Sequence, residues 1–342
     1  MKRTVWTFIR MEVTEDDENH HDEATAPLPQ TIKGKKKMSN KNLNTAKGPK
    51  PNDEFYTQYD DISEELKHYK EQEHFKGKVV FCNCDDPKEG EASNFWTYFF
   101  NNFSHLGLKR LISTHYDEEK LSYKLETTDG VNAVPTNLKP NDKFKSGDFR
   151  SPECVEILRG ADIVVTNPPF SLFREYLAQL VEHKKKFLII GSMNAITYKE
   201  TFKLIKNNEI WLGCSNPKKF LQPDGSIKKF GNIGWFTNLE HKKRHDDIFL
   251  RGTYNAADYP KYDNYDAIEV SNTKDIPKDY EGIMGVPISF LDKYSPDQFE
   301  ILGNLGSYAP DGYSLAGAIF IDGKKIFKRI LIKNKKPLKE VD

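Results

Sequence analysis

The residues with the clearest chemical potential stand together directly after an apolar segment. The run Ala161 to Val165 is typical of a buried strand, and the tetrapeptide Asn167-Pro168-Pro169-Phe170 follows it after one threonine. Two prolines cannot continue a central strand, because each lacks the N–H group that a sheet needs. The chain is therefore expected to leave the sheet at its carboxyl edge, where open α/β folds bind their ligands.

These four residues suit the methylation of an exocyclic amino group. The N6 nitrogen of adenine is a weak nucleophile, so a catalyst should accept hydrogen bonds from its two N–H groups. The side-chain oxygen of Asn167 and the backbone carbonyl of Pro168 are such acceptors. Pro169 stiffens the turn, and Phe170 can stack on a base that has left its helix. The alternative is an ordinary Asn-Pro turn, which four matching residues at a strand end disfavour.

Alternating strand and helix patterns surround this turn and predict a mainly parallel, doubly wound α/β sheet. Ser151-Pro152 predicts the start of a helix that Gly160 ends, and a second helix is predicted over Ser171 to His183. The predicted strands are Lys78 to Asn83, Leu108 to Ser113, Leu121 to Glu126, Ala161 to Val165, Phe187 to Gly191 and Glu209 to Gly213.

Beyond Cys214 the pattern changes to turns and aromatic-rich strands, which predicts a smaller C-terminal α+β lobe. Ser295-Pro296-Asp297-Gln298 resembles a capping box and predicts a short helix that ends at Gly303. Two hairpins are predicted, one at Pro223-Asp224-Gly225 before a strand over Phe230 to Thr237, and one at Asp322-Gly323 between Leu315 to Ile321 and Lys325 to Ile332.

Two blocks of like charge mark the N-terminal part of the chain. Seven carboxylates and no Lys or Arg lie between Glu12 and Glu23, and seven lysines and no acid lie between Lys33 and Lys50. Such blocks favour solvation over burial. We therefore expect a disordered, charged extension over 1–51, a catalytic domain over 52–240 and a target-recognition and DNA-binding region over 241–342.

The composition narrows the class of protein. The 342 residues include 51 basic and 51 acidic side chains, for a formal net charge of +0, so a nucleic-acid partner must meet a local basic patch. The pair Cys82-x-Cys84 lacks the spacing of a zinc site, and four scattered cysteines point to a reducing compartment. No apolar run approaches the roughly 20 residues of a membrane span. A cytoplasmic protein without a metal or a membrane anchor is expected.

A second informative segment carries a resemblance to a known family. The motif Asp-Glu-Phe-Tyr-Thr-Gln at 53–58 precedes Val79 to Pro87 and then Thr166 to Ser171. In this order the chain resembles the N6-adenine DNA methyltransferases, and more closely the EcoRI-type adenine-specific methyltransferase family, from about Asn52 to the C-terminus. The resemblance implies S-adenosylmethionine as methyl donor, double-stranded DNA as substrate and a Rossmann-like, seven-stranded methyltransferase sheet.

The resemblance also implies a set of cofactor-binding residues. They are Tyr56 and Thr57 at the methionine part, Asp85 and Asp86 after the first strand, Asp117 or Glu118 at the ribose, and Asp148 and Phe149 at the adenine ring. Two departures leave the cofactor contacts open. Gly90 is the only glycine in the loop after the first strand, where the family pattern has Gly-x-Gly, and Gln58 replaces a proline.

Basic clusters downstream of the Asn-Pro-Pro-Phe motif are the candidates for DNA contact. Each cluster alone is usually a solvated face, but their concentration in one part of the chain predicts a phosphate-binding surface. The predicted contacts are Lys218, Lys219, Phe220, Lys242, Lys243 and Arg244, with further lysines at 228–229 and 324–339.

Three functions follow from these residues. The first is a monomeric DNA adenine N6-methyltransferase that acts on a flipped-out base. The second changes the acceptor to RNA or a protein glutamine, and the third is a non-catalytic DNA-binding module with a vestigial cofactor site. Cytosine C5 methylation is disfavoured because it needs a thiolate nucleophile, typically presented after a proline, whereas Cys154 follows Glu153.

Overall fold

The computed structural model describes residues 56–69, 73–84, 94–116, 121–139, 144–222, 225–306 and 314–338. All of them belong to one compact unit, Ala46–Asp342. The expected extension over 1–51 and the predicted cofactor residues Asp85, Asp86, Asp117 and Glu118 lie outside the described residues. Within the described ranges, no helix is long and apolar enough to cross a membrane.

Strands and helices make up the part of the chain up to residue 237. In chain order they are β1 (Tyr56–Thr57), α1 (Tyr59–Leu66), β2 (Val79–Asn83), α2 (Asn94–Asn101), α3 (Phe103–Leu106), β3 (Arg110–Thr114), β4 (Tyr123–Thr127), β5 (Val134–Asn137), α4 (Pro152–Gly160), β6 (Ile163–Thr166), α5 (Phe173–Glu182), β7 (Lys186–Ser192), α6 (Lys199–Lys206), β8 (Trp211–Leu212), β9 (Lys219–Leu221), β10 (Ile227–Lys229) and β11 (Ile233–Thr237). Strands and helices alternate from β6 to β8, as the sequence pattern predicts, whereas β3 to β5 and β8 to β11 are runs of strands that add antiparallel pairs to the expected mainly parallel sheet.

A mixed sheet forms the centre of this part. In the part of the chain that the structure describes, eight strands pair in the order β5-β4-β3-β2-β6-β7-β11-β8, one more than the seven expected. The four central strands β3, β2, β6 and β7 are parallel, and antiparallel pairs extend the sheet on both sides. From β2 the chain moves to one side and later returns to β6 on the other. The sheet therefore has a topological switch point between β2 and β6, where ligands bind in open α/β folds.

Helices cover both faces of the central strands, and this explains why β2 is apolar along most of its length. Val80 and Cys82 point into a core formed with α1 and α2, whereas Val79 and Phe81 point into a second core with α4, α5 and α6. The second core also contains residues of the C-terminal sheet, among them Met284. A strand buried on both faces needs no polar alternation, as the predicted apolar runs indicated.

The two predicted helices near the motif differ in how they begin. Ser151 caps α4 by accepting a hydrogen bond from the backbone N–H of Cys154 at 3.2 Å, with Pro152 in the first turn, as predicted. The second helix is predicted with Ser171 as its cap, and the α-helix begins two residues after this position. Residues 170–172 form a 3-10 turn closed by a 3.0 Å bond from the Leu172 N–H to the Pro169 carbonyl, and α5 begins at Phe173. The two prolines hold the chain extended before this turn, so the α-helix starts later.

The C-terminal part is dominated by a second sheet. Its elements are β12 (Lys261–Tyr262), β13 (Tyr265–Glu269), β14 (Ile283–Val286), β15 (Phe299–Leu305), β16 (Ser314–Ala316), β17 (Ile319–Ile321), β18 (Lys324–Ile326) and β19 (Arg329–Asn334). Among the described residues, six strands pair in the order β12-β13-β14-β19-β15-β16, and β17 pairs with β18. The predicted domain division near residue 240 stays a prediction.

Hairpins form around both predicted turns, but their strands are shorter than predicted, and the predicted helix after Ser295 does not form. β9 pairs with β10 and the predicted strand over Phe230 to Thr237 becomes β11 of the central sheet, while Pro223 and Asp224 lie outside the described residues. The predicted strand over Lys325 to Ile332 is divided between β18 and β19. Asp322 and Gly323 have φ of 50° and 70°, which suits the tight turn between β17 and β18. After Ser295 a single turn leads directly into β15, whose buried and exposed positions alternate at its start. The Gln298 side chain binds both the N–H and the carbonyl of Ile248, at 2.7 and 2.9 Å. It is therefore engaged by a distant segment and does not cap a helix.

Candidate active site

The Asn-Pro-Pro-Phe turn lies at the topological switch point, directly after β6. Its neighbour Thr166 donates from Oγ1 to the backbone carbonyl of Asn83, the last residue of β2. The side-chain oxygen of Asn83 accepts from Thr114 Oγ1 at 2.7 Å and from the Cys84 N–H at 3.0 Å. One buried asparagine thus joins the ends of β2, β3 and β6. This network fixes the starting points of the loops that surround the predicted site.

Within the turn, Asn167 is half-buried, Pro168 is buried, and Pro169 has an extended backbone with φ −53° and ψ 126°. Phe170 is half-buried and opens the 3-10 turn. The predicted catalytic residues are therefore presented together at the carboxyl edge of the sheet. Their roles stay predictions, because the arrangement alone does not identify the acceptor.

Phe170 packs edge-on against two other phenylalanines. Its ring centroid lies 6.4 Å from that of Phe220 and 6.3 Å from that of Phe230, with interplanar angles of 84° and 83°. Phe220 and Phe230 are 5.5 Å apart. We call these three rings the aromatic trio. Phe220 is 0% exposed, so its place fits a support for Phe170 and corrects the expectation that it contacts DNA.

A small sheet of β1, β9 and β10 connects the aromatic trio to the segment at 56–57. Thr57 lies opposite Phe220 in the antiparallel pairing of β1 with β9. Neighbouring residues on a strand point to opposite faces, so Tyr56 and Thr57 face different sides of this sheet. The sequence motif gave no sign of this separation. Of the pair, Thr57 shares the inner face with Phe220.

Thr57 offers a polar atom for a bound group. Its side-chain oxygen Oγ1 is buried and has no hydrogen-bond partner among the described residues. Its backbone carbonyl accepts from the Asn94 side-chain amide at 2.7 Å. Buried hydroxyls usually have a partner. A cofactor with a polar end, such as the amino and carboxylate groups of the expected methyl donor, fits this position.

Helix α1 is attached to the segment that leads into β9 through a buried glutamate. Glu65 is 0% exposed, and its carboxylate accepts from the N–H groups of Cys214 and Ser215 at 2.8 and 2.6 Å. It also accepts from Ser215 Oγ at 2.6 Å and from the Tyr69 hydroxyl at 2.9 Å. A Cβ at Gly213 would lie 2.2 Å from the Glu65 oxygen, so the close approach requires glycine there.

A second carboxylate, one turn earlier on α1, is directed at the same segment. Burial raises the pKa of Asp61, and hydrogen bonds from the backbone of Lys218 and Lys219 partly offset this effect. Asp61 and Glu65 lie four residues apart on one face of α1. The sequence analysis missed Glu65. The available signal was a carboxylate at a position that shares its helical face with Ile62, Leu66 and Tyr69, all of them buried.

The loop after β2 contains an unusual backbone conformation. Cys84 has φ of 60°, in the left-handed region that favours glycine. This is the first loop position after the first strand of the central sheet, where the family pattern has a glycine-rich loop. The remaining loop residues up to 93 lie outside the described residues.

Asp148 and Phe149 differ in burial, since Asp148 is half-buried and Phe149 is buried. The Asp148 carboxylate is paired with Arg150, which donates from its backbone N–H and Nε to Oδ1 and from a terminal nitrogen to Oδ2, at 2.8, 2.9 and 2.8 Å. A Cβ at Gly147 would lie 2.0 Å from the His115 carbonyl, so this loop packs against the end of β3. Asp148 therefore lies at the carboxyl edge of the sheet, and its role toward a cofactor stays a prediction.

Phe149, in contrast, points into the protein. It is buried in the second core, where its ring meets Tyr176 at 5.0 Å in a perpendicular arrangement. The ring of Phe149 is already in contact with core side chains. This packing does not favour the expected stacking on the cofactor adenine. A stacked ligand needs an accessible ring face, which a core position does not provide.

The predicted DNA contacts divide into exposed and internal residues. Lys218, Lys219 and Lys242 are exposed, as a phosphate contact requires. Lys243 donates to the Cys214 carbonyl at 2.8 Å. Arg244 is 8% exposed, forms an ion pair with Glu240, and its guanidinium carbon lies 3.8 Å from the centroid of the Trp211 ring. Its expected contact with DNA is therefore corrected to a structural role.

In the described part of the chain, no group of three or more His, Cys, Asp or Glu side chains could hold a metal ion. The residues at the switch point instead offer hydrogen-bond acceptors, a buried hydroxyl and an aromatic ring. Such a set can bind and orient a planar amine and a polar cofactor.

Comparison with known proteins identifies the family of the chain. The family described as "Adenine-specific methyltransferase EcoRI" matches residues 42–335. The Type II methyltransferase M.EcoRI of Escherichia coli is 46% identical over 330 residues, covering 87% of this chain and 98% of its own. The Type II methyltransferase M.MpnI of Mycoplasma pneumoniae is 40% identical over 286 residues, covering 78% and 86%.

A further relative, the Type II methyltransferase M.MgeORF184P of Mycoplasma genitalium, is 38% identical over 324 residues, covering 85% of this chain and 98% of its own. No solved structure shows a significant match. The family match begins ten residues before the expected limit at Asn52 and includes both sheets. The chain therefore belongs to the EcoRI family of adenine-specific methyltransferases.

Proposed function

We propose that this protein is a site-specific DNA methyltransferase that transfers a methyl group from S-adenosylmethionine to N6 of an adenine flipped out of double-stranded DNA. The observation that carries the proposal is the Asn-Pro-Pro-Phe turn at the switch point, with Phe170 braced by two rings and Thr57 in the same small sheet. Family membership supports it independently.

The chain contributes positioning to the reaction. Asn167 Oδ1 and the Pro168 carbonyl accept the two N–H groups of the target amine, which directs its lone pair out of the base plane. Phe170 stacks on the extruded base, and its edge contacts with Phe220 and Phe230 hold the ring in place. The proton is lost afterwards to water or to a backbone carbonyl. Pro169 fixes the chain direction between acceptor and ring.

Cofactor binding is assigned to the carboxyl edge of the sheet. S-adenosylmethionine, when bound, supplies an electrophilic methyl group on a sulfonium centre. Thr57 Oγ1 would hold its polar methionine part, and Asp148 would accept from its adenine amino group, because one carboxylate lone pair beside Arg150 is not used by the contacts within the loop. Asp85, Asp86 and Asp117 remain candidates by position in the sequence.

DNA binding is assigned to the basic residues near the small sheet and to the C-terminal region. Exposed Lys218, Lys219 and Lys242 are expected to contact phosphates, and the region over 241–342 to read the target sequence. The catalytic domain is proposed to have the sheet of the methyltransferases. The active form is proposed to be a monomer. The Type II methyltransferase relatives also suggest a place in a restriction-modification system.

The test compares Asn167→Ala with the wild-type chain in transfer of labelled methyl groups to duplex DNA, RNA and protein. We expect wild-type transfer to DNA alone, with N6-methyladenine as the product, and a loss of at least about 100-fold in Asn167→Ala. Asn207→Ala, at an exposed asparagine whose amide binds only the Glu209 side chain among the described hydrogen bonds, is the control. Full activity of Asn167→Ala, or wild-type transfer to RNA or protein, would refute the proposal.

A further inference from the structure

The outer face of the small sheet carries an apolar row beside a pair of lysines. Tyr56, Leu221 and Ile227 lie opposite one another across the three strands, and the next row on the same face is Lys219 opposite Lys229. The row between them, with Thr57 and Phe220, belongs to the inner face. On the inner face, Thr57 and Phe220 are buried and Lys228, at the outer strand β10, is exposed.

Ile227 is the exposed member of the apolar row. Its side chain is 60% exposed, whereas Tyr56 and Leu221 are half-buried. Ile227 and Leu221 form the last strand pair before the hairpin turn, which is closed by a 2.9 Å bond from the Gln222 N–H to the Ser226 carbonyl. A β-branched side chain at a hairpin tip is stiff and stands away from the sheet.

The charge around Ile227 suits a nucleic-acid partner. Between residues 218 and 229 the chain has four lysines, at 218, 219, 228 and 229, and one acid, Asp224. Lys219 and Lys229 share the outer face with Ile227, whereas Lys228 lies opposite Phe220 in the inner row. The described lysines in this set are all exposed. Asp61 on α1 accepts hydrogen bonds from the backbone of Lys218 and Lys219, at the start of β9. A positive surface with one exposed apolar side chain suits a nucleic acid that offers phosphates and a gap between bases.

The hairpin is also firmly connected to the predicted base site. Phe220 on β9 touches Phe170, and Phe230, which directly follows β10, touches both rings. Glu65 binds the backbone at 214–215 just before β9. The position of Ile227 is therefore fixed relative to the ring that would receive the base. A single exposed isoleucine is common on protein surfaces, but this one lies on the hairpin whose Phe220 contacts that ring.

We propose that the β9–β10 hairpin enters the duplex beside the target, that Ile227 fills the stack position left by the extruded adenine, and that Lys219 and Lys229 contact the flanking phosphates. This inference rests on the proposed function and adds a residue that stabilises the extruded state. An apolar wedge lowers the cost of extrusion because it restores contact with the neighbouring base pairs. No covalent step involves Ile227.

The experiment uses the full chain and unmethylated duplex oligonucleotides. These oligonucleotides contain the recognition sequence, which is first identified by mapping the bases that the wild-type chain methylates in cells. The variants are Ile227→Ala, Ile227→Leu and, as control, Val134→Ala. Val134 is a β-branched residue on the edge strand β5 with 62% exposure, and β5 carries no lysine. Base extrusion is followed by the fluorescence of 2-aminopurine at the target position, and chemistry by the single-turnover rate of methyl transfer.

We expect Ile227→Ala to reduce both the extruded fraction and the single-turnover rate by about tenfold on the paired duplex. The reduction should shrink to about twofold or less when the target adenine lies opposite an abasic site, since such a base is extruded at lower cost. Ile227→Leu should stay near wild type because it keeps the apolar volume, and Val134→Ala should match wild type on both duplexes.

Three results would overturn the inference. If Ile227→Ala matches Val134→Ala on both duplexes, Ile227 has no part in extrusion. If the rate of Ile227→Ala falls by the same factor on the paired duplex and on the duplex with the abasic site, Ile227 only supports the structure. If the wild-type chain methylates neither duplex, the proposed function itself fails and the inference fails with it, a case that differs from the first two because the wild type is inactive.

Discussion

Thr57 and Phe220 lie opposite each other in the antiparallel pairing of β1 with β9. This pairing joins the segment expected to hold the methyl donor to a ring that supports Phe170, the residue expected to hold the acceptor base. Both sites therefore depend on one small sheet. Relative position is what a direct methyl transfer requires, because the amine and the methyl carbon must meet in line.

Phe220→Leu is expected to impair catalysis beyond its effect on stability. Leucine keeps an apolar core but loses the edge contacts with Phe170 and Phe230, so the base-stacking ring gains freedom. We expect kcat to fall by about tenfold. Phe99→Leu, a change at an equally buried ring of the same core, is the control, and both variants should lose about 1–3 kcal/mol of unfolding free energy. Equal kcat values for the two variants would contradict this account.

Glu65→Ala is expected to destabilise the protein by about 3 kcal/mol, because the buried N–H groups of Cys214 and Ser215 lose their shared acceptor. Chemical denaturation measures the change. Glu64→Ala, at the neighbouring position, removes a surface ion pair with Lys67 and should leave stability close to that of the wild type. If both variants lose the same stability, Glu65 does not hold the segment before β9.

His241 is expected to make the protein less stable in mild acid. Burial lowers the pKa of His241 from 6.5 to about 4, and its Nε2–H donates to the Leu212 carbonyl at 3.0 Å. The imidazole of His241 is therefore protonated in the unfolded chain as pH falls from 6.5 to 4, while it stays neutral in the folded chain. This difference lowers the free energy of unfolding by about 3 kcal/mol. His241→Gln, which keeps an N–H donor, should lose less stability over this range in denaturation curves. An unchanged pH dependence would contradict the assignment.

His245 should show the opposite pH dependence. A hydrogen bond with Asp297 raises the pKa of His245, helped by Glu240, and the same contact lowers the pKa of Asp297. The histidine contribution is fully present below its unfolded pKa of 6.5 and is lost as pH rises through the raised value. His245→Ala should therefore lower the midpoint of chemical denaturation at pH 6. At pH 9 the same substitution should have little effect on this midpoint. A larger effect at pH 9 would contradict this sign.

Local patterns made most of the central sheet predictable. Apolar runs bounded by turn residues located β2, β3, β6 and β7 to within about two residues. Proline chemistry placed the Asn-Pro-Pro-Phe turn at the sheet edge. These features depend on residues that are close together in the chain. Their positions can therefore be predicted from the sequence alone.

Long-range contacts explain what could not be predicted. The pairing of β1 with β9 joins strands of two and three residues, too short to give a periodic pattern. Arg244 looks like a DNA contact in the sequence but is held internally by Glu240 and Trp211. The false helix after Ser295 failed because Gln298 binds the distant backbone of Ile248. Each case involves at least one partner far away in the chain, which for Arg244 is Trp211.

The most direct test of the central claim is the mapping of modified bases in DNA from cells that express this chain. We predict N6-methyladenine at every copy of one short sequence, and its absence in cells that express Asn167→Ala at the same protein level. DNA without N6-methyladenine in cells with the wild-type chain, or a pattern that Asn167→Ala leaves unchanged, would contradict the account.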